Sequence, residues 1–172
     1  DAANNVSAAS NAVSVTTLTG GGSGNGTELL ISEYIEGSSN NKAIEIANFT
    51  GASVNLSAYS LQKSTNGGGT FESAFNLSGT LANGEVYIVA NSSATSAILN
   101  VADATSGVAT FNGNDAVGLF KNGTLIDLIG DPNSDANFAQ NTTLRRKSSV
   151  TSPSTSYTVA EWDTFASDTF DG

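Results

Sequence analysis

From Leu29 onward the apolar residues come in short runs, each interrupted by Gly, Asn, Ser or Asp. Runs of this length between turn residues mark β-strands. They predict strands over 29–35, 43–49, 59–63, 70–76, 85–90, 108–111, 115–121, 124–129, 142–147 and 156–160. Asn-Gly pairs at 66–67, 83–84, 112–113 and 122–123 are the favoured tight-turn chemistry. The clearest hairpin is AVGLFKNGTLIDLIG, turning at Asn122-Gly123. In it Val117 and Leu119 are expected to share one face of the first strand, and Leu125, Asp127 and Ile129 one face of the second. Many short strands so closely spaced predict an antiparallel β-sandwich. Only SSATSAILNVADA (92–104) reads as helical, capped by Ser92 or Ser93 and crossing from one sheet to the other. The closing stretch, with Trp162, Phe165 and Phe170 at irregular spacing, is expected to lay aromatics onto the open end of the sandwich.

The first residues follow a different pattern. Residues 1–27 are rich in Gly, Ser and Asn and offer no face to bury, so they read as a flexible leader or linker. Within them AVSVTTL alternates well enough to suggest one short edge strand. The single domain is then 28–172. The chain starts at Asp1 with neither an initiator Met nor a signal-like segment, and reads as a mature or excised piece of a longer protein.

Charge and missing residue types narrow the chemistry. Sixteen acids against six bases give a net charge of −10, and the chain has no His and no Cys. A broad basic footprint for nucleic acid is therefore excluded. The commonest general base and the commonest transition-metal ligand are also missing, as is any thiol nucleophile. Ser and Thr abound but have no His to activate them. No apolar run approaches the ~18 residues that cross a bilayer, so no membrane insertion is expected.

Several segments, taken in order, carry a resemblance. They are LLISEYIEGSSNNKAIEIAN (29–48), VNLSAYSLQ (54–62), LSGTLANGEVYIVA (77–90), FNGNDAVGLFKNGTLIDLIG (111–130), TLRRKSSV (143–150) and EWDTFASDTFDG (161–172). Together they resemble the lamin tail domain in its bacterial form, found in secreted nucleases. The resemblance implies an all-β, immunoglobulin-like antiparallel β-sandwich with one short helix. It further implies a non-catalytic accessory module of an exported bacterial protein, secreted or on the cell surface. Its partners would be neighbouring domains of the same polypeptide, among them an extracellular DNase domain whose own signatures this chain lacks. A carbohydrate- or protein-binding adhesion module is the alternative, with Tyr34, Tyr59 and Tyr87 as the aromatics to inspect.

Candidate site residues fall in four groups. The loop EGSSNNK (36–42) concentrates hydrogen-bonding side chains, and Glu36, Asn40, Asn41 and Lys42 are its recognition candidates, with a self-capping hairpin turn as the plainer reading. Arg145 and Lys147 are the candidates for any direct DNA contact. On a strand they share a face and Arg146 takes the other, so sheet carboxylates compete for them. Glu33 and Glu45 flank the loop as cross-strand neighbours, either as a carboxylate pair or in partnership with Lys42, Lys63 or the Arg145–Arg146 strand. Asp127, Asp131, Asn133 and Asp135, with Asp103 or Asp115, could gather around calcium or simply form turns. Position 12 from Asp131 is Thr142, so the helix-loop-helix calcium loop is excluded, and no cofactor is expected.

Overall fold

The computed structural model describes residues 26–170; the expected edge strand in AVSVTTL lies outside them. The described residues pair into twelve strands. These are β1 (Leu30–Glu36), β2 (Lys42–Ala47), β3 (Val54–Asn55), β4 (Tyr59–Ser64), β5 (Glu72–Asn76), β6 (Thr80–Leu81), β7 (Val86–Ala90), β8 (Ala104–Thr105), β9 (Ala116–Lys121), β10 (Thr124–Ile129), β11 (Thr142–Arg146) and β12 (Trp162–Ala166). One sheet runs β12-β11-β1-β2-β7-β8, a second β10-β9-β4-β5, and β3 pairs with β6 in a small ribbon. All pairings are antiparallel except β7 with β8. The fold is the expected all-β, immunoglobulin-like sandwich.

The two large sheets enclose one apolar core. Ile31, Tyr34, Ile44, Ile46 and Val89 face inward from the six-stranded sheet, against Leu61, Val117, Leu119 and Ile129 of the four-stranded one. Through the core runs a file of rings: Phe111 stacked on Tyr34 at 4.2 Å, then Phe138, Tyr157 and Trp162. A smaller cluster lies on the outer side of the six-stranded sheet, where Ala94 and Ile98 cover Ile35, Ala43 and Ala90.

Several expected elements differ. The run at 108–111 is no strand: Gly107–Ala109 forms a 3-10 turn capped by Ser106, and Phe111 enters the core without joining a ladder. The stretch 156–160 pairs with nothing either, since Tyr157 is used as a core ring and the last strand starts at Trp162. The helix shrinks to α1 (Ser96–Leu99), with Thr95 at its N-cap position, because Asn91 captures the Ser93 N–H in a side-chain turn. It joins β7 to β8 within one sheet and does not cross the sandwich.

The hairpin β9–β10 forms as expected, with Asn122 at φ 49° and Gly123 at φ 78°. Its face assignment needs one correction. A register shift between Leu125 and Asp127 leaves Asp127 and Ile129 opposite Leu119 and Val117 on the core side. Leu125 instead pairs with Phe120 and lies on the outer side, over Gly118 and beside Phe71 and Phe120. One extra residue in a strand reverses the faces of all that precede it.

Candidate functional site

The loop between β1 and β2 is built by its own ends. Glu36 and Lys42 face each other across the last rung of the pair, their charged groups 2.5 Å apart, and the Lys42 ammonium also donates to the Gly37 carbonyl at 3.0 Å. The other Glu36 oxygen accepts from the Asn141 N–H at the entry to β11. Asn41 donates to Asp168 at 3.0 Å and accepts from the Thr95 N–H at 2.9 Å. The loop therefore ties together the β7–α1 connection, the start of β11 and the C-terminal turn. Glu36, Asn41 and Lys42 are buried in these contacts, while Asn40 stands exposed with Ser38 and Ser39.

Asp168 holds the far side of this knot. Its carboxylate accepts from the Ser38 N–H at 2.9 Å and from Asn41, and Phe170 follows it into the outer apolar cluster. The hydrogen bond from Ser38 does most to lower its carboxyl; with Asn41 and the nearby Lys42 charge it outweighs desolvation. A folded-state pKa below the unfolded one makes the tether present above the ordinary aspartate range and lost as pH falls through the lowered value. Acidification is expected to loosen 167–170 from the loop before the sandwich unfolds. Amide exchange at Ser38 and the C-terminal turn checks it, with Asp168→Asn showing little pH response in the same range.

All six bases lie among the described residues, and five are held by carboxylates. Lys42 has Glu36, and Lys121 pairs with Glu28 under the Tyr59 ring. Arg145 meets Glu33 at 2.5 Å, lies 4.7 Å from the Phe165 ring centroid and reaches the Thr169 carbonyl. Arg146, on the opposite face as alternation requires, is buried against Asp127 at 2.6 Å and Glu161 at 3.0 Å. Lys147 donates to the Ala160 carbonyl and stands 3.9 Å from Asp163. Among the described residues Lys63 alone has no carboxylate partner; it is buried and donates to the Thr110 hydroxyl at 3.0 Å. Sequence reading named Lys63 only as a possible partner of Glu33 or Glu45, because a lone Lys in a strand reads as solvated.

Glu33 and Glu45 are cross-strand neighbours, in a row across the outer sheet face that runs Asp163, Arg145, Glu33, Glu45. Arg145 takes Glu33, and Ser32 donates to Glu45 at 2.6 Å. Burial pushes the Glu45 carboxyl up, against the Ser32 bond and the Arg145 charge.

The aspartates named for calcium do not converge. Asp127 is fully buried and accepts from Arg146 and from the Ile31 and Ser154 N–H groups. Asp131 turns onto the Asn133 N–H, Asp115 onto the Asn66 N–H and Asp103 onto the Ile88 N–H. Among the described residues no group of three acidic, His or Cys side chains is placed to hold a metal. The aromatic platform is not formed: Tyr34 and Tyr59 are buried, and Tyr87 packs half-buried against the core.

Comparison with known families gives one match: the family model of the Lamin Tail Domain covers residues 22–133. The six-stranded sheet continues past that match, with β11 and β12 beside β1. No curated protein and no solved structure matches the chain.

Proposed function

The chain belongs to the Lamin Tail Domain family of non-catalytic immunoglobulin-like domains, and on that premise we propose that it is an accessory module acting through protein contact. Its place would be in a larger exported bacterial protein, beside an extracellular nuclease domain of the same polypeptide. The nuclease company rests on the bacterial wording of 36–46 (EGSSNNKAIEI) and the segments that follow it in order.

The carrying observation is how the cations are used. A nucleic-acid surface needs Lys and Arg free to displace counterions from phosphate. Here five of six have a carboxylate partner, Lys147 the loosest at 3.9 Å and well exposed, and the sixth is buried, while Glu72, Glu85, Asp131 and Asp135 face outward. The surface that remains repels a polyanion and suits docking against a neutral or basic protein face. The buried positions of Tyr34 and Tyr59 remove the aromatic support for the carbohydrate-binding form of the adhesion alternative.

The test is fluorescence anisotropy of labelled single- and double-stranded DNA titrated with the chain at low salt, with and without calcium and magnesium. A flat trace is expected in every condition. A saturable rise that weakens with salt would overturn the reading, and its loss in Lys147→Ala would locate the contact at the Arg145 and Lys147 face.

A further inference from the structure

The chain contains five Asn-Gly pairs, at 25–26, 66–67, 83–84, 112–113 and 122–123. In such a pair the glycine nitrogen can attack the preceding side-chain amide carbon, because glycine has no Cβ to obstruct ring closure. The attack needs an uncommitted Asn side chain, an uncommitted glycine N–H and a backbone free to leave its resting turn.

These needs separate the pairs. The Gly26 N–H is held by the Phe49 carbonyl at 2.9 Å. The Asn66 side chain accepts from Asn114 at 3.1 Å, and Gly67 is pressed against the backbone of Ser134 and Asp135. Asn83 accepts from the Gly51 N–H at 2.7 Å, while the Gly84 N–H donates to the Asn48 carbonyl at 2.7 Å. Gly113 is buried and packed against the Gln140 backbone, and its carbonyl accepts from the Phe138 and Ala139 N–H groups. Asn83 and Gly84 are also exposed and Gly84 also has open space, but only Asn122 and Gly123, among the described pairs, join exposure and space to unbonded reacting groups. Both are exposed at the β9–β10 tip, the Asn122 amide side chain has no hydrogen bond among the described residues, and a Cβ on Gly123 would meet nothing within 4 Å. The Asn122 N–H is anchored on the Ala58 carbonyl at 2.8 Å, a bond that uses neither reacting group.

We propose that, among the Asn-Gly pairs whose residues are both described, Asn122 is the preferred site of spontaneous deamidation, converting in the folded protein to aspartate and isoaspartate. The Gly123 nitrogen gives its proton to solvent base and bonds to Asn122 Cγ. The Cγ–Nδ2 bond breaks and ammonia leaves with a proton returned from solvent, closing a succinimide. Water attacking Cγ breaks the Cγ–N bond and gives aspartate, while water attacking the main-chain carbonyl carbon breaks that C–N bond and leaves the chain running through Cγ as isoaspartate. Either product places a new carboxylate next to Lys121, in competition with Glu28 for its ammonium. Isoaspartate also lengthens the backbone inside a two-residue turn whose geometry sets the hairpin register.

The folded chain is incubated in mildly alkaline buffer and sampled over time by peptide mapping with isoaspartate detection. The 122–123 peptide is expected to convert about tenfold or more faster than those at 66–67, 83–84 and 112–113, the ratio given by ~1.4 kcal/mol of extra opening at the held pairs. In denaturant the rates should converge, and Asn122→Gln should abolish the early acidic species on ion exchange. Equal rates in the folded chain would overturn the proposal. So would a ratio that persists unchanged in denaturant, or an acidic species that survives Asn122→Gln.

Discussion

Asp127→Ala is expected to lower the unfolding free energy by about 3–5 kcal/mol, the cost of stripping one partner from a buried ion pair. Asp127 is fully buried and the Arg146 side chain is 2% exposed, so neither can fall back on water. The carboxylate also receives the Ile31 N–H at 2.7 Å and the Ser154 N–H at 2.7 Å, from two segments far apart in the chain. Removing it leaves a guanidinium and two backbone donors without that acceptor, in a region where Arg146 Nε and Trp162 Nε1 already have no partner. Burial pushes the Asp127 carboxyl up despite the Arg146 charge, so the ionised group is held at a cost that only its full set of donors offsets.

The adjacent residue supplies the contrast. Arg145 also pairs with a carboxylate at 2.5 Å, but on the outer face, where both side chains keep contact with solvent. Arg145→Ala should cost only about 1 kcal/mol, from a partly screened pair and the Phe165 stacking. Urea unfolding of the two variants decides the matter. If Asp127→Ala falls within 1 kcal/mol of Arg145→Ala, the buried cluster is not what joins β1, β10 and β11 across the sandwich.

The alternation of RRK in the sequence already placed Arg146 apart from Arg145 and Lys147, because a strand's period of two leaves no other choice. Its partner was not legible. Asp127 read as a strand or turn carboxylate because the link to Arg146 is tertiary and no local pattern encodes it. The bulge at 125–127 was equally hidden, since an inserted residue keeps the composition of the strand while reversing its faces. The loop 36–42 was found for its polar density. That density serves internal capping of Glu36, Asn41 and Lys42, and sequence alone does not distinguish a side chain that caps from one that waits for a ligand. The two-residue strands at 54–55, 80–81 and 104–105 are too short to show any period.

Phe111→Ala is expected to cost about 3–5 kcal/mol, as large as any strand-core truncation, although Phe111 belongs to no strand. The residue is fully buried, and its ring stacks on Tyr34 at 4.2 Å with planes 24° apart. Tyr34 in turn meets Phe138 at 5.5 Å, and the file continues through Tyr157 to Trp162, above Arg146. Truncation at its head opens a cavity beside Tyr34, which the ladder hydrogen bonds of β1 keep from collapsing inward. The apolar run at 108–111 looks like a strand because it is selected for burial, and burial is what it supplies. Phe165→Ala on β12 gives the control, for that ring is 37% exposed and has the Arg145 guanidinium on one face. Its loss should stay near 1 kcal/mol. If thermal or urea unfolding ranks Phe165→Ala as the more damaging, ladder membership outweighs core volume here and the 108–111 connection is a passive filler.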